Sequence, residues 1–428
     1  MNNIFEIYIK NVNFPKKNGI DVEMIKDKYL DIEKFVTDKK IFRLFRAVEN
    51  HGGVLRFVGG AVRNALRGIE GSDLDLATDL SPDELVEACQ ESGLKTVPIG
   101  IKFGTVGVVI NDKVLEVTSL RKDVKTDGRH GEVEFTTDWE IDASRRDLTI
   151  NAVYADEKGN VFDYYNGISD LENGIVRFIG SPTVRIKEDY LRILRFFRFY
   201  SLFGKGDIDE KALKACVENK EGLKQLSGER IRDELSKILL TPQAAKVIKI
   251  MAENGILDNI LPEPKNYDKL AFLVDLCNKE KFTPCWLRRL YVIFEPDVLL
   301  AESLAARLKL SKKDRALFVS WSENNPPLAD FLDERCLLKL LYRHGKEFCA
   351  NKLILEAASA QREIDNLPRL LDFIEKSEIP SFPLRGRDLI EQGIAENAKI
   401  GETLKQLENE WIESGFQMSR DELLQKAI

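Results

Sequence analysis

The sequence predicts an α+β fold: an αβ region early in the chain, followed by an all-helical remainder. Two observations carry this prediction. Runs of β-branched and apolar residues at 55–58, 104–110 and 114–120 all fall within residues 51–170. From about residue 236 onward, apolar residues recur at helical spacing, with short polar turns between segments. A length of 428 residues corresponds to two to four domains, at roughly 100–200 residues each. A hydrophobic content of 43% is enough for their cores. The expected division is an arm and helix at 1–50, the αβ region at 51–170, a helical region at 171–260 and further helices over 261–428.

Taken in order, residues 32–50 show helical periodicity through Phe35, Ile41, Phe42, Leu44, Phe45 and Val48, and read as a helix packed on the αβ region. Residues 55–58 read as a buried strand. Gly59 and Gly60 follow, and without a Cβ the backbone there can turn tightly and approach a ligand. A helix over 61–66 ends at Gly68, and helix N-termini attract phosphate oxygens. The next strand carries Asp73 and Asp75, whose side chains share one face. Their Cα atoms lie roughly 6–7 Å apart at ~3.3 Å rise per residue. That spacing suits holding Mg²⁺ against a triphosphate. Alone, Gly-Gly is an ordinary turn and Asp-x-Asp an ordinary solvated loop. In this order and at this spacing they resemble the nucleotidyltransferase superfamily signature.

Ser81-Pro82-Asp83-Glu84 starts a helix that runs to about residue 92, with Ser81 as cap and Pro82 in the first turn. Residues 104–110 and 114–120 pair as a hairpin around Asn111-Asp112. Glu116 is the one acid among Val114, Leu115 and Val117 and is expected to be buried. It is either a third carboxylate beside the aspartates or a salt-bridged structural residue. The charged stretch 121–131 is either an ordinary surface loop or a mobile loop beside the site that contacts phosphates. Arg145 and Arg146 are expected near a helix start, where guanidinium forks suit a triphosphate or ribose; the alternative is a surface charge cluster. Asp147 either caps that helix or orients an arginine. After Ser181-Pro182, Asp189 and Arg192 are expected as helical neighbours at i, i+3. One acceptor beside a fork of donors complements cytosine or adenine, whereas uracil and guanine present the reverse pattern. The alternative is an exposed salt bridge worth little. Arg195 and Arg198 drift about 60° back per three residues and can line a triphosphate path.

Three segments carry a closer resemblance. They are Gly59-Gly60-Ala61-Val62-Arg63 with Asp73-Leu74-Asp75, then Arg145-Arg146-Asp147-Leu148-Thr149-Ile150-Asn151-Ala152, then Glu188-Asp189-Tyr190-Leu191-Arg192-Ile193-Leu194-Arg195. In that order over residues 55–200 they resemble the class II CCA-adding enzyme (tRNA nucleotidyltransferase) and bacterial poly(A) polymerase family. The likeness continues more weakly through Gly228-Glu229-Arg230-Ile231-Arg232-Asp233-Glu234-Leu235, and returns at Pro383-Leu384-Arg385-Gly386-Arg387-Asp388-Leu389 and Trp411. Asn64 departs from the family, which usually carries Asp there. The resemblance implies a nucleotidyltransferase-fold catalytic head at 51–170, a neck at 171–260 and a tRNA-binding body and tail at 261–428. It implies Mg²⁺ at Asp73 and Asp75, with Gly60 and Arg63 near the nucleotide and Arg145 and Arg146 at sugar or phosphates. Asp189 and Arg192 would read the base of CTP or ATP, with Arg195 and Arg198 nearby. Residues 121–135 would support the switch from C to A. The implied partners are ATP, CTP and the 3′ end and acceptor arm of tRNA, with no other protein.

The net charge of −7 argues against a protein coated in basic charge but allows a local basic groove. Lys309, Lys312, Lys313, Arg315, Arg343 and Lys346 either track a tRNA backbone or form a solvated helix face. The six cysteines show no Cys-x-x-Cys spacing and read as reduced thiols. Three scattered histidines make a histidine-built metal site improbable. With a polar N-terminus and no run approaching the ~20 apolar residues of a membrane helix, a cytoplasmic location is expected. The reading is template-independent CCA addition to tRNA. The alternatives are a poly(A) polymerase or A-adding-only enzyme of the same family, and a non-catalytic RNA-binding protein on the same scaffold.

Overall fold

The computed structural model describes residues 30–32, 36, 38–69, 74–125, 132–262, 266–392 and 398–427. The chain divides into two compact units, Met1–Gln243 with Ile250–Ile260, and Ala244–Lys249 with Leu261–Ile428.

The first unit is built on a seven-stranded mixed sheet. Its strands are β1 (Leu55–Val58), β2 (Asp75–Thr78), β3 (Lys95–Gly100), β4 (Thr105–Ile110), β5 (Lys113–Ser119), β8 (Val153–Ala155) and β9 (Val161–Asp163), in spatial order β3-β4-β5-β2-β1-β8-β9. Only β2 and β5 pair in parallel within it. Period-2 alternation gives the sheet two working faces. Phe57, Leu76, Val106, Val108 and Val117 point into one core, with Leu44, Phe45 and Val48 of α1 (Phe42–Asn50) and Leu85 and Ala88 of α3 (Pro82–Glu91). Val58, Ala77 and Tyr154 point the other way and pack with Ala143 of α4 (Trp139–Ser144).

Local chemistry explains most of the boundaries. At α3, Ser81 Oγ accepts from the Glu84 amide at 3.4 Å and the Glu84 carboxylate accepts from the Ser81 amide at 2.8 Å, a full capping box. The β4–β5 hairpin turns through Asn111 and Asp112 at φ +48° and +61°, the left-handed pair that matches strand twist. The N-terminal helix is shorter than the periodicity of 32–50 implies. It begins at Phe42 after a 3₁₀ turn at Lys39–Ile41. The charged stretch after β5 is not a plain loop: β6 (Arg121–Lys125) pairs antiparallel with β7 (Glu132–Phe135) as a two-stranded ribbon, while 126–131 lie outside the described residues.

Helices α5 (Gly167–Asn173), α6 (Pro182–Glu188), α7 (Leu191–Phe203), α8 (Glu210–Glu218) and α9 (Gly228–Leu239) complete the first unit, and α10 (Ala244–Glu253) contributes to both units. The aromatic-rich α7 buries Phe196, Phe197, Phe199 and Phe203. Among its described residues the second unit is entirely helical: α11 (Tyr267–Lys279), α12 (Trp286–Phe294), α13 (Val298–Arg307), α14 (Lys312–Glu323), α15 (Leu328–Leu332), α16 (Glu334–Ser359), α17 (Leu367–Lys376), α18 (Gly386–Glu391), α19 (Ala398–Glu413) and α20 (Arg420–Ala427). Gly345 interrupts α16 at φ +80°, ψ 167°. Leu384, Leu389, Leu407, Trp411 and Leu423 form a C-terminal cluster.

The six basic residues of the second unit singled out in the sequence are largely engaged within it. Lys313 pairs with Glu347, Arg315 with Glu302 and Arg343 with Glu413, and Lys346 donates to the Glu375 carbonyl. Replacing Ser81 with Ala removes one half of the capping box and is expected to cost about 1 kcal/mol, read as a lowered midpoint in chemical denaturation.

Candidate active site

The glycine turn and the acids meet because of strand register. β1 and β2 run antiparallel with Phe57 opposite Leu76. One step further sets Val58, and the turn that follows it, beside Asp75. β2 and β5 run parallel with Asp75 opposite Glu116, so the two carboxylates are cross-strand neighbours on one face. Both are exposed. Glu116 is therefore not the buried acid expected from its apolar neighbours, because the face of β5 that carries it is open. Asp73 lies outside the described residues, and β2 begins at Asp75.

Gly59 has φ +65°, and a Cβ built there would lie 3.6 Å from Arg146 Nη1. Gly60 opens α2 (Gly60–Leu66), and its Cβ would lie 3.6 Å from Arg63 Nη2. Arg63 and Asn64 are both buried. Asn64 Oδ1 accepts from Arg63 Nε at 3.1 Å and Nη2 at 2.9 Å, so the amide at this family-divergent position holds the neighbouring guanidinium. Arg63 Nη1 also donates to Asn151 Oδ1, and its guanidinium lies 4.8 Å from the ring centroids of both Phe199 and Phe203 on α7.

Arg145 and Arg146 follow the end of a helix rather than its start. Asp138 caps α4 at its N-terminus, and Arg145 is the C-cap, where a cation suits the dipole. Arg145 forks onto the buried Asp142 at 2.6 and 2.8 Å and Arg146 donates to it once at 3.0 Å, while Tyr154 donates to the same carboxylate at 2.8 Å. Burial pushes the Asp142 carboxyl up, but Arg146 and Arg145 outweigh it and hold it at about 2. Asp147 orients an arginine, one of its two predicted roles. It accepts from Arg195 Nε at 2.6 Å and Asn151 Nδ2 at 3.0 Å. Against its burial, Arg195 and Asn151 keep it well below the usual carboxylate range.

The Asp189–Arg192 helical pair is not formed. Asp189 breaks the chain between α6 and α7 at φ −159°, ψ 109°. Its Oδ1 accepts from the Leu191 amide at 3.1 Å, and its Oδ2 pairs with Arg230 of α9 at 2.7 Å. Arg192 turns instead to Glu188 and to the Arg185 carbonyl at 3.0 Å. Arg198 pairs with Glu234 at 3.1 Å. Sequence reasoning missed Arg230, Glu188, Glu234, Asp142 and Asn151 as organisers of this region. Asp142 and Glu188 lie three or four positions from the arginines they hold, within helical reach, whereas the others act across long sequence separations.

Comparison with known proteins follows the same lines. The family described as the poly A polymerase head domain matches residues 55–177, and that described as the probable RNA and SrmB-binding site of polymerase A matches 207–267. The CCA tRNA nucleotidyltransferase 1, mitochondrial, of Mus musculus is 40% identical over 395 residues, covering 90% of this chain and 88% of the relative. The chain belongs to the CCA tRNA nucleotidyltransferase family. The CCA-adding enzyme of Streptococcus sanguinis is 32% identical, over 82% of this chain and 88% of its own length. The crystal structure of the Bacillus stearothermophilus CCA-adding enzyme in complex with CTP shares the fold, with a TM-score of 0.76 at 24% identity over 91% of this chain and 96% of that one. The Thermotoga maritima CCA-adding enzyme complexed with tRNA shares it at a TM-score of 0.63 and 22% identity, over 92% and 96%. The α+β architecture read from the sequence is thus that of the CCA-adding enzymes.

Nucleotidyltransferases of this family generally depend on a divalent metal. Asp75 and Glu116 offer carboxylate oxygens, the donor type that hard divalent cations take, and so fit one. Among the described residues no group of three or more His, Cys, Asp or Glu gathers for a metal ion. No helix among them is long and apolar enough to cross a membrane.

The depressed Asp142 carboxyl carries a pH dependence. Its folded pKa lies below the ordinary 3.8, so its contribution is complete above about pH 4 and is lost as pH falls toward 2. Asp142→Asn is expected to be less stable at pH 7, by about 2 kcal/mol. Its unfolding midpoint should be flatter than the wild type's between pH 4 and 2, as measured by denaturation at each pH.

Proposed function

We propose that this chain adds C, C and A in turn to the 3′ end of tRNA, taking CTP and ATP and releasing pyrophosphate without a nucleic-acid template. One observation carries the reading: the glycine turn stands beside Asp75 and Glu116 at one end of the sheet, in a chain that covers 88% of a CCA-adding relative. In this reading residues 51–170 are the catalytic head, 171–260 the neck, and 261–428 the body and tail that meet tRNA.

Asp75, with Asp73, would hold Mg²⁺, and Glu116 is the third carboxylate. One Mg²⁺ ion bound there would lower the pKa of the attacking 3′-hydroxyl, and a second would neutralise the departing pyrophosphate. The chain's own residues do the positioning. Gly60 leaves room for the triphosphate, and Arg63 and Arg146 supply donors to its oxygens. Arg145, Arg195 and Arg198 add positive field along the nucleotide. The 3′-hydroxyl oxygen bonds to the α-phosphorus while the bond from that phosphorus to the bridging oxygen breaks, and pyrophosphate leaves.

Asp189 and Arg192 read the base. A carboxylate has about four lone-pair sites, and Asp189 uses two, for the Leu191 amide and Arg230. It can therefore accept from the exocyclic amine of cytosine or adenine while Arg192 donates to the ring nitrogen. Arg230, which holds Asp189, and the Glu188 carboxylate, which holds Arg192, fix both groups before a nucleotide arrives, which limits the ordering cost of binding.

A reducing compartment such as the cytoplasm is part of the reading. It is supported by six cysteines that are all free, four of them buried.

The test is incorporation of labelled CTP and ATP, separately and together, into tRNA lacking its CCA end. Two C residues followed by a single A are expected. An A tail of unlimited length on any RNA, with little use of CTP, would replace the reading with poly(A) synthesis. Asp75→Ala is expected to lower incorporation by at least 100-fold, as loss of a metal-holding carboxylate should, with tRNA binding in a filter assay unchanged.

A further inference from the structure

We infer that the open face of β3, β4 and β5 is the subsite for the last nucleotide of the RNA acceptor, whose base and ribose lie on an aliphatic shelf beside Glu116. The inference rests on the proposed CCA addition and deepens it, because no residue above is assigned to the RNA's own 3′ end.

Strand order carries the first step. The carboxylates stand on β2 and β5, in the middle of β3-β4-β5-β2-β1. The groups assigned to the incoming triphosphate, Gly60, Arg63 and Arg146, lie on the β1 side. In a displacement at phosphorus the attacking and leaving oxygens stand roughly in line on opposite sides. An attacker placed opposite the triphosphate comes from the β5 side, so the nucleotide that carries it lies over β5, β4 and β3.

The surface there is unusual for an exposed sheet face. The register sets Val97 beside Gly107 and Gly107 beside Glu116, with Val109 opposite Val114, so all of these share one face. Ile99 and Val114 are each 49% exposed, and Val97 and Val109 are half-buried. A Cβ on Gly107 would fall 2.7 Å from side-chain carbons of Ile99, Val114 and Val97. Those three chains therefore close over the glycine and make a low, continuous floor. The opposite face of the same strands is sealed, with Val106, Val108 and Val117 in the core. At the far end Lys95 is exposed on the shelf side, opposite Val109, where a cation suits the phosphodiester leading to the last nucleotide.

The chemistry matches what three rounds of addition require. The acceptor ends in a different base before the first C, after one C, and after two. An aliphatic floor has no donor or acceptor with which to choose among them, and every base offers an apolar face to it. Selection then rests on the incoming nucleotide alone.

The test is steady-state kinetics of the full chain on an acceptor-arm RNA hairpin, with the Ile99→Ser, Val114→Ser double variant. Both side chains are half exposed, so the fold should hold, and an unchanged melting temperature checks this. The expected result is a rise in KM for the hairpin of roughly tenfold, equal for hairpins ending in A, G, C or U. KM for CTP and ATP should be unchanged, and Ile99→Leu, Val114→Ile should restore the wild-type value. An unchanged hairpin KM, or a loss confined to one terminal base, would overturn the shelf. If the wild type itself adds no C to the hairpin or to tRNA lacking CCA, the proposed function fails and the shelf with it. Wild-type addition matched by the double variant sinks the shelf alone.

Discussion

The pairing of Asp75 with Glu116 across a parallel strand pair is the constraint on which the site depends. Strand side chains alternate faces, so a slip of one residue between β2 and β5 would send Glu116 into the core and bring Val117 out. The core prevents this. Leu76 and Val117 are also register partners, buried on the opposite face together with Phe57. The apolar residues thus fix the polar ones. On the other flank, the antiparallel β1–β2 register brings the glycine turn to the same end of the sheet. The carboxylates need no burial to meet, because the hydrophobic pattern does the aiming.

The arginines obey a different logic. Arg63, Asn151, Asp147 and Arg195 form a continuous hydrogen-bonded chain from α2 to α7. Asp142 gathers Arg145, Arg146 and Tyr154 beside it. A guanidinium carries five donors, so one side chain can be anchored by its fold partners and still present donors to a ligand. Low-dielectric surroundings make such networks costly when incomplete and rigid when complete. The first unit therefore holds its cationic groups in place before a polyanion arrives, with the carboxylates of Asp142 and Asp147 offsetting part of the repulsion among them.

Much of the architecture was legible in the sequence because it is locally encoded. The capping box at Ser81, the Asn111-Asp112 turn, the Gly59-Gly60 bend and the helical periodicity of the second unit all follow from residues within a few positions of each other. The Asn64 departure was legible too, and its consequence is a hydrogen bond to Arg63. What failed was partly local competition and partly remote pairing. Asp189 and Arg192 sit at a spacing that suggests a mutual pair, yet Asp189 accepts from the Leu191 amide and leaves the helix, a local competition that short polar side chains often win. Its charge partner, Arg230, lies 41 positions away, beyond the reach of any periodicity. Glu116 was expected to be buried from its apolar neighbours, but Val114 lies on the same open face and is itself exposed, so the neighbours carried no information about depth. Arg145 and Arg146 end a helix whose cap, Asp138, lies upstream of the arginine motif, so the motif alone carries no mark of that start.

Gly345 has a mechanical consequence. An unbroken α-helix the length of α16 would run about 39 Å at 1.5 Å per residue. A rod of that length passes a load applied at one end straight to the other. At φ +80° the glycine cuts the rod, and a Cβ there would meet nothing within 4 Å. Tyr342, just before the cut, stacks edge-on against Trp411 of the C-terminal cluster at 5.6 Å. Phe348, Cys349 and Leu353, just after it, are buried. One helix in name thus acts as two levers joined at a single residue, and strain imposed on the C-terminal cluster is taken up in one pair of dihedral angles instead of along the whole segment.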